Sequence, residues 1–146
     1  MPRVFTIGYE NAPQAKVLQA LKEAGVTLLI DVRAVAASRR AGFSKTILAS
    51  SLKDEGIGYL HLRALGTPKA GREAARAGRT AEMHDIFEAH MAEPKAQMAL
   101  REAAGIARER SAALLCYEAD PAECHRRILA RALEASDGFE ICDLHA

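Results

Sequence analysis

Hydrophobic residues in this chain follow two patterns that alternate along most of its length. Short, nearly continuous apolar runs are typical of strands buried on both faces of a sheet, whereas apolar residues three and four positions apart predict amphipathic helices. Strands are predicted at residues 4–8, 27–32, 58–62, 112–117 and 139–144. Helices are predicted at residues 14–24, 46–55, 81–91, 94–110 and 121–133, the last with Asp120 as its N-cap.

This alternation predicts an α/β fold, because strands joined through helices form right-handed crossovers and a parallel sheet. We expect a single domain over residues 1–146, in three layers. Its doubly wound, mostly parallel sheet would have about five strands, with helices on both faces. The pattern lapses at residues 63–80, which are rich in Arg and Gly. That segment is predicted to be a basic loop or a lid insertion, with a helical turn at residues 72–77 as the alternative for that part.

The net charge of +1 conceals an uneven distribution along the chain. Residues 1–80 contain 13 Lys and Arg against 6 Asp and Glu, whereas residues 81–146 contain 7 against 13. Either the two halves attract each other within the fold, or the basic half faces an acidic ligand. With neither a signal peptide nor a long apolar run, we expect a cytoplasmic protein that does not enter a membrane. Its three cysteines are then expected to be reduced thiols.

Polar and ionisable residues collect where the predicted strands end. Open parallel sheets bind ligands beyond the carboxyl ends of their strands, so these residues predict one shared pocket. They are Tyr9 and Glu10 after the first strand, Arg33 after the second, His61 after the third, and Glu118, Cys124, His125 and Arg126 after the fourth.

Three of these residues are candidates for catalysis. Glu118 or His125 would act as acid or base. Cys124 would act as a nucleophile, because the start of a helix favours a thiolate. The alternatives are that Cys124 is a small buried residue and that His125 is a hydrogen-bonded core histidine. Cys116 and Cys142 are assigned to the core.

A second cluster of candidate ligand-binding residues lies in the loop after the second strand. Besides Arg33 it contains Ser38, Arg39, Arg40, Phe43, Ser44 and Lys45. Cationic loops with an aromatic side chain suit phosphate, carboxylate or single-stranded nucleic acid. The alternative is that Arg33 pairs with Glu118 or Glu10 and braces the edge of the sheet.

We expect no cofactor and no metal. The set of Cys124, His125, Glu118 and His61 matches no standard zinc spacing, and adjacent Cys and His residues rarely reach one ion. A redox pair of Cys116 and Cys124 lacks the C-x-x-C spacing.

Several motifs together resemble the domain of unknown function 488. They are T-I-G-Y-E at residues 6–10, D-V-R at 31–33, S-R at 38–39, G-F-S-K at 42–45 and L-C-Y-E-A-D-P-A-E-C-H-R at 115–126. The resemblance implies a single α/β domain in which these motif residues are characteristic, and it implies no particular reaction. The chain departs from the usual pattern at Asn11, where the family usually has a glycine, and at Gly66-Thr67, where the family often has two glycines.

These observations favour an enzyme, or a degenerate relative of one, with an Arg- and Lys-lined site for a small anionic ligand. That ligand would resemble a phosphate or a nucleotide. The alternative is a nucleic-acid-binding domain that uses the basic loops 33–45 and 63–79. The salt dependence of binding separates the two, because several phosphate contacts make affinity fall steeply with salt.

Overall fold

A five-stranded, all-parallel sheet forms the centre of the protein, with the strand order β3-β2-β4-β1-β5. The computed structural model describes residues 2–146, apart from the side chain of Glu123. The strands are β1 (Arg3–Gly8), β2 (Leu28–Asp31), β3 (Gly58–His61), β4 (Ala112–Cys116) and β5 (Glu140–Leu144). The helices are α1 (Gln14–Glu23), α2 (Lys45–Asp54), α3 (Lys69–Arg76), α4 (Thr80–Met91), α5 (Pro94–Glu109) and α6 (Arg126–Asp137).

Helices cover both faces of the sheet, which confirms the predicted three-layer α/β fold. Because successive side chains of a strand point to opposite faces, neighbouring residues enter different cores. Ile30 and Leu114 pack in one core with residues of α4, α5 and α6. Leu29 and Leu115 pack in the other core with residues of α1 and α2. No helix in residues 2–146 combines the length and the apolar character that crossing a membrane requires.

The central strand β4 lies between β2 and β1, and its last residues are in register with theirs. Leu115 is the partner of Asp31 in β2, and Cys116 is the partner of Gly8 in β1. All five residues of β4 are buried. The carboxyl ends of these three strands therefore meet at one edge of the sheet, where ligands of parallel sheets bind.

The segment predicted to be a basic loop differs from that prediction, because much of it is helical. Arg63–Leu65 forms a short 3-10 turn, and α3 then packs against α4. Its buried face is built from the small residues Gly71 and Ala74. Because Gly and Ala are barely hydrophobic, the segment shows no apolar stripe of the kind that predicts a full helix.

The start of the last helix also differs from the prediction. Asp120 Oδ1 accepts a hydrogen bond from the amide of Ala122 (2.9 Å), and so caps a 3-10 turn at Pro121–Glu123. The α-helix itself begins only at Arg126. Cys124 and His125 therefore lie between the two helical segments, with His125 as the N-cap residue of α6.

Gly8 is a point of very close contact between β1 and the segment that follows β4. A Cβ atom on Gly8 would collide with the carbonyl group of Glu118 and would lie 2.8 Å from Nη1 of Arg126. Only glycine leaves room for this approach. The end of β1 and the turn after β4 can then share one edge of the cavity described below.

We predict that Gly8→Ala lowers the free energy of unfolding, measured by urea denaturation, by about 1–3 kcal/mol, as overpacking of a buried site does. Gly105→Ala in α5 is the matched control, because a Cβ atom there meets nothing within 4 Å. That control should raise the free energy of unfolding by about 0.5–1 kcal/mol. Equal shifts of the same sign in both variants would contradict the close approach at Gly8.

Candidate functional site at the carboxyl edge of the sheet

A cavity of about 540 Å³ opens where β1, β2 and β4 end, and α3 forms part of its opposite wall. Its polar lining consists of Tyr9, Arg33, Thr67, Arg72, Arg76, Cys116, Tyr117, Glu118 and His125. The structure thus brings together the ends of three of the four strands that the sequence predicted to share a pocket. Four of the predicted site residues line this cavity, namely Tyr9, Arg33, Glu118 and His125.

Arg33 forms a buried ion pair with Asp31 through two parallel hydrogen bonds. Its Nε donates to Asp31 Oδ1 (2.9 Å), and its Nη2 donates to Asp31 Oδ2 (2.7 Å). Nη1 donates to the carbonyl of Phe43 (2.8 Å) and to the hydroxyl of Tyr9 (3.1 Å). Arg33 does brace the sheet edge, but its partner is Asp31 rather than Glu118 or Glu10.

This ion pair sets the ionisation of its neighbours. Burial alone would lower the pKa of Arg33, but the hydrogen bonds and the charge of Asp31 outweigh it, so the pKa is raised. The hydroxyl of Tyr59 donates to Asp31 Oδ2 (2.5 Å). Burial, together with that hydrogen bond and the Asp31 charge, raises the pKa of Tyr59. Arg33 therefore stays charged and Tyr59 neutral across the physiological range.

The loop that was predicted to bind ligand is largely occupied in holding itself together. Ser44 Oγ accepts from the amide of Ser38 and donates to its carbonyl (3.0 Å each). Arg40 Nη2 donates to the carbonyl of Ala12 (2.7 Å). Phe43 is fully buried and stacks on Tyr9, with ring centroids 4.2 Å apart. Its ring is therefore not available to stack on a ligand.

Four further predicted residues lie outside the cavity lining. Arg39 is exposed, and Lys45 lines a separate shallow hollow together with Arg63. Glu10 Oε1 accepts from the amide of Ala119 (3.1 Å), and His61 Nε2 donates to the carbonyl of Arg33 (2.7 Å). Glu10 and His61 thus hold backbone segments at the sheet edge in place.

Arg126 is fully buried and braces the turn between β4 and α6. Its Nη1 donates to the carbonyl of Glu118 and to Cys116 Sγ (3.0 Å), and its Nη2 donates to the carbonyl of Ala119 (3.1 Å). Within the described residues its Nε has no hydrogen-bond partner. Burial lowers the pKa of Arg126. Its predicted role in ligand binding is not supported, because it does not line the cavity.

Cys116 and Cys124 are joined by a disulfide bond, which differs from the expectation of reduced thiols. The turn after β4 returns Cys124 to the end of the strand, although the two cysteines are eight residues apart. Cys116 lines the cavity, whereas Cys124 is fully buried and does not. The sequence had assigned Cys116 to the core and had placed Cys124 at the site.

His125 is held in one orientation by the backbone of β2. Its Nε2 lies 2.7 Å from the carbonyl of Val32, which can only accept, so Nε2 carries the proton. Nδ1 then presents a lone pair toward Cys124 Sγ, 3.7 Å away. Burial lowers the pKa of His125 to about 4, against the smaller opposing effect of the Val32 hydrogen bond. The imidazole is thus neutral at neutral pH.

One set of residues in the described part of the chain could hold a metal ion. The ligand atoms of Cys116, Cys124 and His125 lie within 4.8 Å of one another, and all three residues are buried. Thiolate and imidazole are the ligands that zinc prefers. The adjacency of Cys124 and His125, which counted against a metal site in the sequence, does not keep their side chains apart.

Sequence reasoning missed two arginines of the cavity. Arg72 and Arg76 lie one turn apart on α3 and both reach the lining. They belong to the segment that was predicted to be a loop with at most one helical turn, and neither was singled out as a site residue. The basic character of that segment was the signal that pointed to them.

We predict that Asp31→Asn lowers the free energy of unfolding by about 3–5 kcal/mol, because it leaves the buried Arg33 charge without its partner. Asp54→Asn at the exposed end of α2 is the control, with an expected change within about 0.5 kcal/mol. In urea denaturation, the double variant Asp31→Asn/Arg33→Met should lose less stability than the two single variants together. Additive losses would mean that the pair is not coupled.

Comparison with known proteins places the chain in a family. The family model described as domain of unknown function DUF488 matches residues 14–133, which is most of the chain and includes β2, β3, β4 and the turn that carries the cysteines. No curated protein and no solved structure matches the chain. The chain therefore belongs to the family described as domain of unknown function DUF488.

Proposed function

We propose that the protein is an enzyme that binds a small anionic, phosphate- or nucleotide-like substrate in the cavity at the carboxyl edge of the sheet. One observation carries the proposal. A single cavity combines the guanidinium groups of Arg33, Arg72 and Arg76 with the carboxyl group of Glu118. Guanidinium groups suit phosphate and carboxylate because they donate in parallel pairs.

The positive charge available to a ligand comes from α3 rather than from the loop after β2. Arg33 is already balanced by Asp31. Arg72 donates through Nη1 to the neutral carbonyl of Thr67 (2.9 Å), so its charge is not neutralised there. The side chain of Arg76 makes no hydrogen bond or ion pair with any described residue, which leaves its donors open to an anion. Arg72 and Arg76 together would hold the anionic group.

Glu118 is the acid or base that the cavity offers to such a substrate. It follows the central strand directly and lines the same cavity as Arg72 and Arg76. A side chain that transfers a proton in the transition state must lie within hydrogen-bonding reach of the reacting group. Cys124 is a weaker candidate than the sequence suggested, because its sulfur is buried and bonded to Cys116.

A nucleic-acid-binding role has less support. Phe43 cannot stack on a base because it is fully buried beneath Tyr9, and Arg33 and Arg40 donate within the protein. The exposed cations that remain in these segments include Arg39, Lys45 and Arg63. Binding of a single-stranded oligonucleotide with a steep loss of affinity in salt would favour this role over a small-ligand site.

We predict that inorganic phosphate raises the melting temperature of the protein, and that Arg76→Ala weakens phosphate binding about tenfold, or about 1.4 kcal/mol. Calorimetric titration measures the affinity. Arg131→Ala on the exposed side of α6 is the charge-matched control, because Arg131 does not line the cavity. Equal affinity of Arg76→Ala and Arg131→Ala for phosphate would contradict the site.

We predict that Glu118→Gln retains phosphate affinity within about threefold but reduces turnover of the substrate by about 100-fold or more, the usual range for a general acid or base. Phosphate monoesters and nucleoside monophosphates are the first compounds to screen, with phosphorus NMR as the readout. Glu134→Gln on α6 is the control, because Glu134 is exposed and lies outside the cavity lining. Full turnover in Glu118→Gln would remove Glu118 from the chemistry.

A further inference from the structure

Two residues of the cavity lining, Cys116 and His125, form with the buried Cys124 a set of sulfur and nitrogen donors that the proposed anion site does not use. Cys116 ends the central strand, and Cys124 and His125 return to it after the 3-10 turn. We propose that, once the two cysteines are reduced, the protein binds one zinc-class metal ion through Cys116 Sγ, Cys124 Sγ and His125 Nδ1. This site goes beyond the anion-binding function and does not depend on it.

The distances suit tetrahedral coordination. Two ligands of one zinc ion, a thiolate and an imidazole nitrogen, lie about 3.6 Å apart, given bond lengths of about 2.3 and 2.0–2.1 Å. Cys124 Sγ and His125 Nδ1 are 3.7 Å apart. Cys124 is extended (φ −120°, ψ 146°), whereas His125 is helical (φ −62°, ψ −19°). This change of backbone conformation lets two adjacent side chains face the same point.

The backbone spacing of the two cysteines also suits an ion between them. Their Cα atoms are 7.2 Å apart. Disulfide-bonded cysteines usually have Cα atoms about 4.4–6.8 Å apart. Two thiolates of one zinc ion need their sulfurs about 3.8 Å apart. A wider backbone spacing accommodates that separation once the sulfurs are no longer bonded to each other.

Each of the three ligand residues makes a hydrogen bond with a group outside the set. The Val32 carbonyl fixes His125 with Nδ1 unprotonated, as a ligand must be. The amide of Arg126 donates to Cys124 Sγ (3.5 Å), and the guanidinium of Arg126 donates to Cys116 Sγ (3.0 Å). Such partners orient metal ligands and stabilise thiolates.

The charges around the set can accommodate a buried divalent ion. Two thiolates neutralise the ion itself. Glu118 Oε2, 3.8 Å from Cys116 Sγ, supplies a negative charge beside the positive charge of Arg126. Nearby opposite charges reduce the cost of placing ions away from water.

The fourth coordination position would face the cavity. Cys116 and His125 line the cavity, whereas Cys124 is fully buried and does not. Three protein ligands with one open position are typical of catalytic rather than structural zinc. An anionic ligand or a water molecule in the cavity would complete the coordination.

The disulfide of the present structure is the oxidised, metal-free form in this scheme. A phosphine reductant takes up oxygen from one water molecule and becomes a phosphine oxide, while the disulfide receives two electrons and two protons. Binding of the ion then releases both thiol protons, since thiolates are the ligands.

The test is an anaerobic titration of phosphine-reduced protein with Co²⁺, followed by absorption spectroscopy. We expect one equivalent to bind, with a thiolate-to-cobalt charge-transfer band and the strong visible bands of tetrahedral cobalt. Cys116→Ser and Cys124→Ser should each lose most of the charge-transfer band. Cys142→Ser, at the free cysteine of β5, should keep it. His125→Gln, which can still donate to the Val32 carbonyl, should weaken and shift the visible bands.

A second measurement needs no variant. Zinc should protect two of the three thiols of the reduced protein from alkylation, as counted by mass spectrometry, and Cys142 should remain reactive. Absence of the charge-transfer band, or alkylation of Cys116 and Cys124 at equal rates with and without zinc, would overturn the metal site. Either result would leave Cys116 and Cys124 as a dithiol–disulfide pair without a metal ion. Phosphate affinity is measured separately, so failure of either site is distinguishable from failure of the other.

Discussion

The site depends most on the hydrogen bonds that the buried guanidinium of Arg126 donates. A charged group without access to water must be met by acceptors, because an unpaired buried charge is very costly. Arg126 meets the carbonyls of Glu118 and Ala119 and the sulfur of Cys116, and these contacts set the path of the chain between β4 and α6. Gly8 leaves room for that path, because any side chain there would occupy the position of the Glu118 carbonyl.

A second buried guanidinium organises the other side of the cavity. Arg33 joins Asp31 of β2 to the loop through the Phe43 carbonyl and to β1 through the Tyr9 hydroxyl. Much of the conspicuous basic and aromatic loop therefore serves as structure. The positive charges of the cavity that are not neutralised within the fold belong to Arg72 and Arg76 of α3, on the opposite wall. The cavity thus combines a strand edge held by buried hydrogen bonds with a helix that contributes two further arginines to its lining.

The fold could be predicted from the sequence because the central strands β1, β2 and β4 are buried on both faces and most of the helices have regular apolar stripes. The five strands and four of the helices follow the predicted positions closely. The helix α3 escaped prediction because its buried face consists of Gly71 and Ala74, which carry almost no hydrophobic signal. The position of α6 was predicted too early because Asp120 and Pro121 begin a 3-10 turn as readily as an α-helix.

The candidate site was predictable only in its location. The rule that ligands bind at the carboxyl ends of parallel strands placed Tyr9, Arg33, Glu118 and His125 together. The sequence could not show which cations would be neutralised inside the fold, because the Asp31 and Arg33 partnership depends on side-chain geometry. The sequence also could not show that Cys116 would line the cavity, because a continuous apolar run does not indicate which of its residues face the core.

The most direct test of the central claim is a phosphate titration followed by amide chemical shifts in NMR spectra. If the cavity at the sheet edge is the ligand site, the shifts will concentrate at the ends of β1 and β4, around Glu118, and in α3 around Arg72 and Arg76. If the shifts concentrate instead around Arg39, Lys45 and Arg63, with α3 unaffected, the ligand binds the basic loops and the cavity is not the functional site.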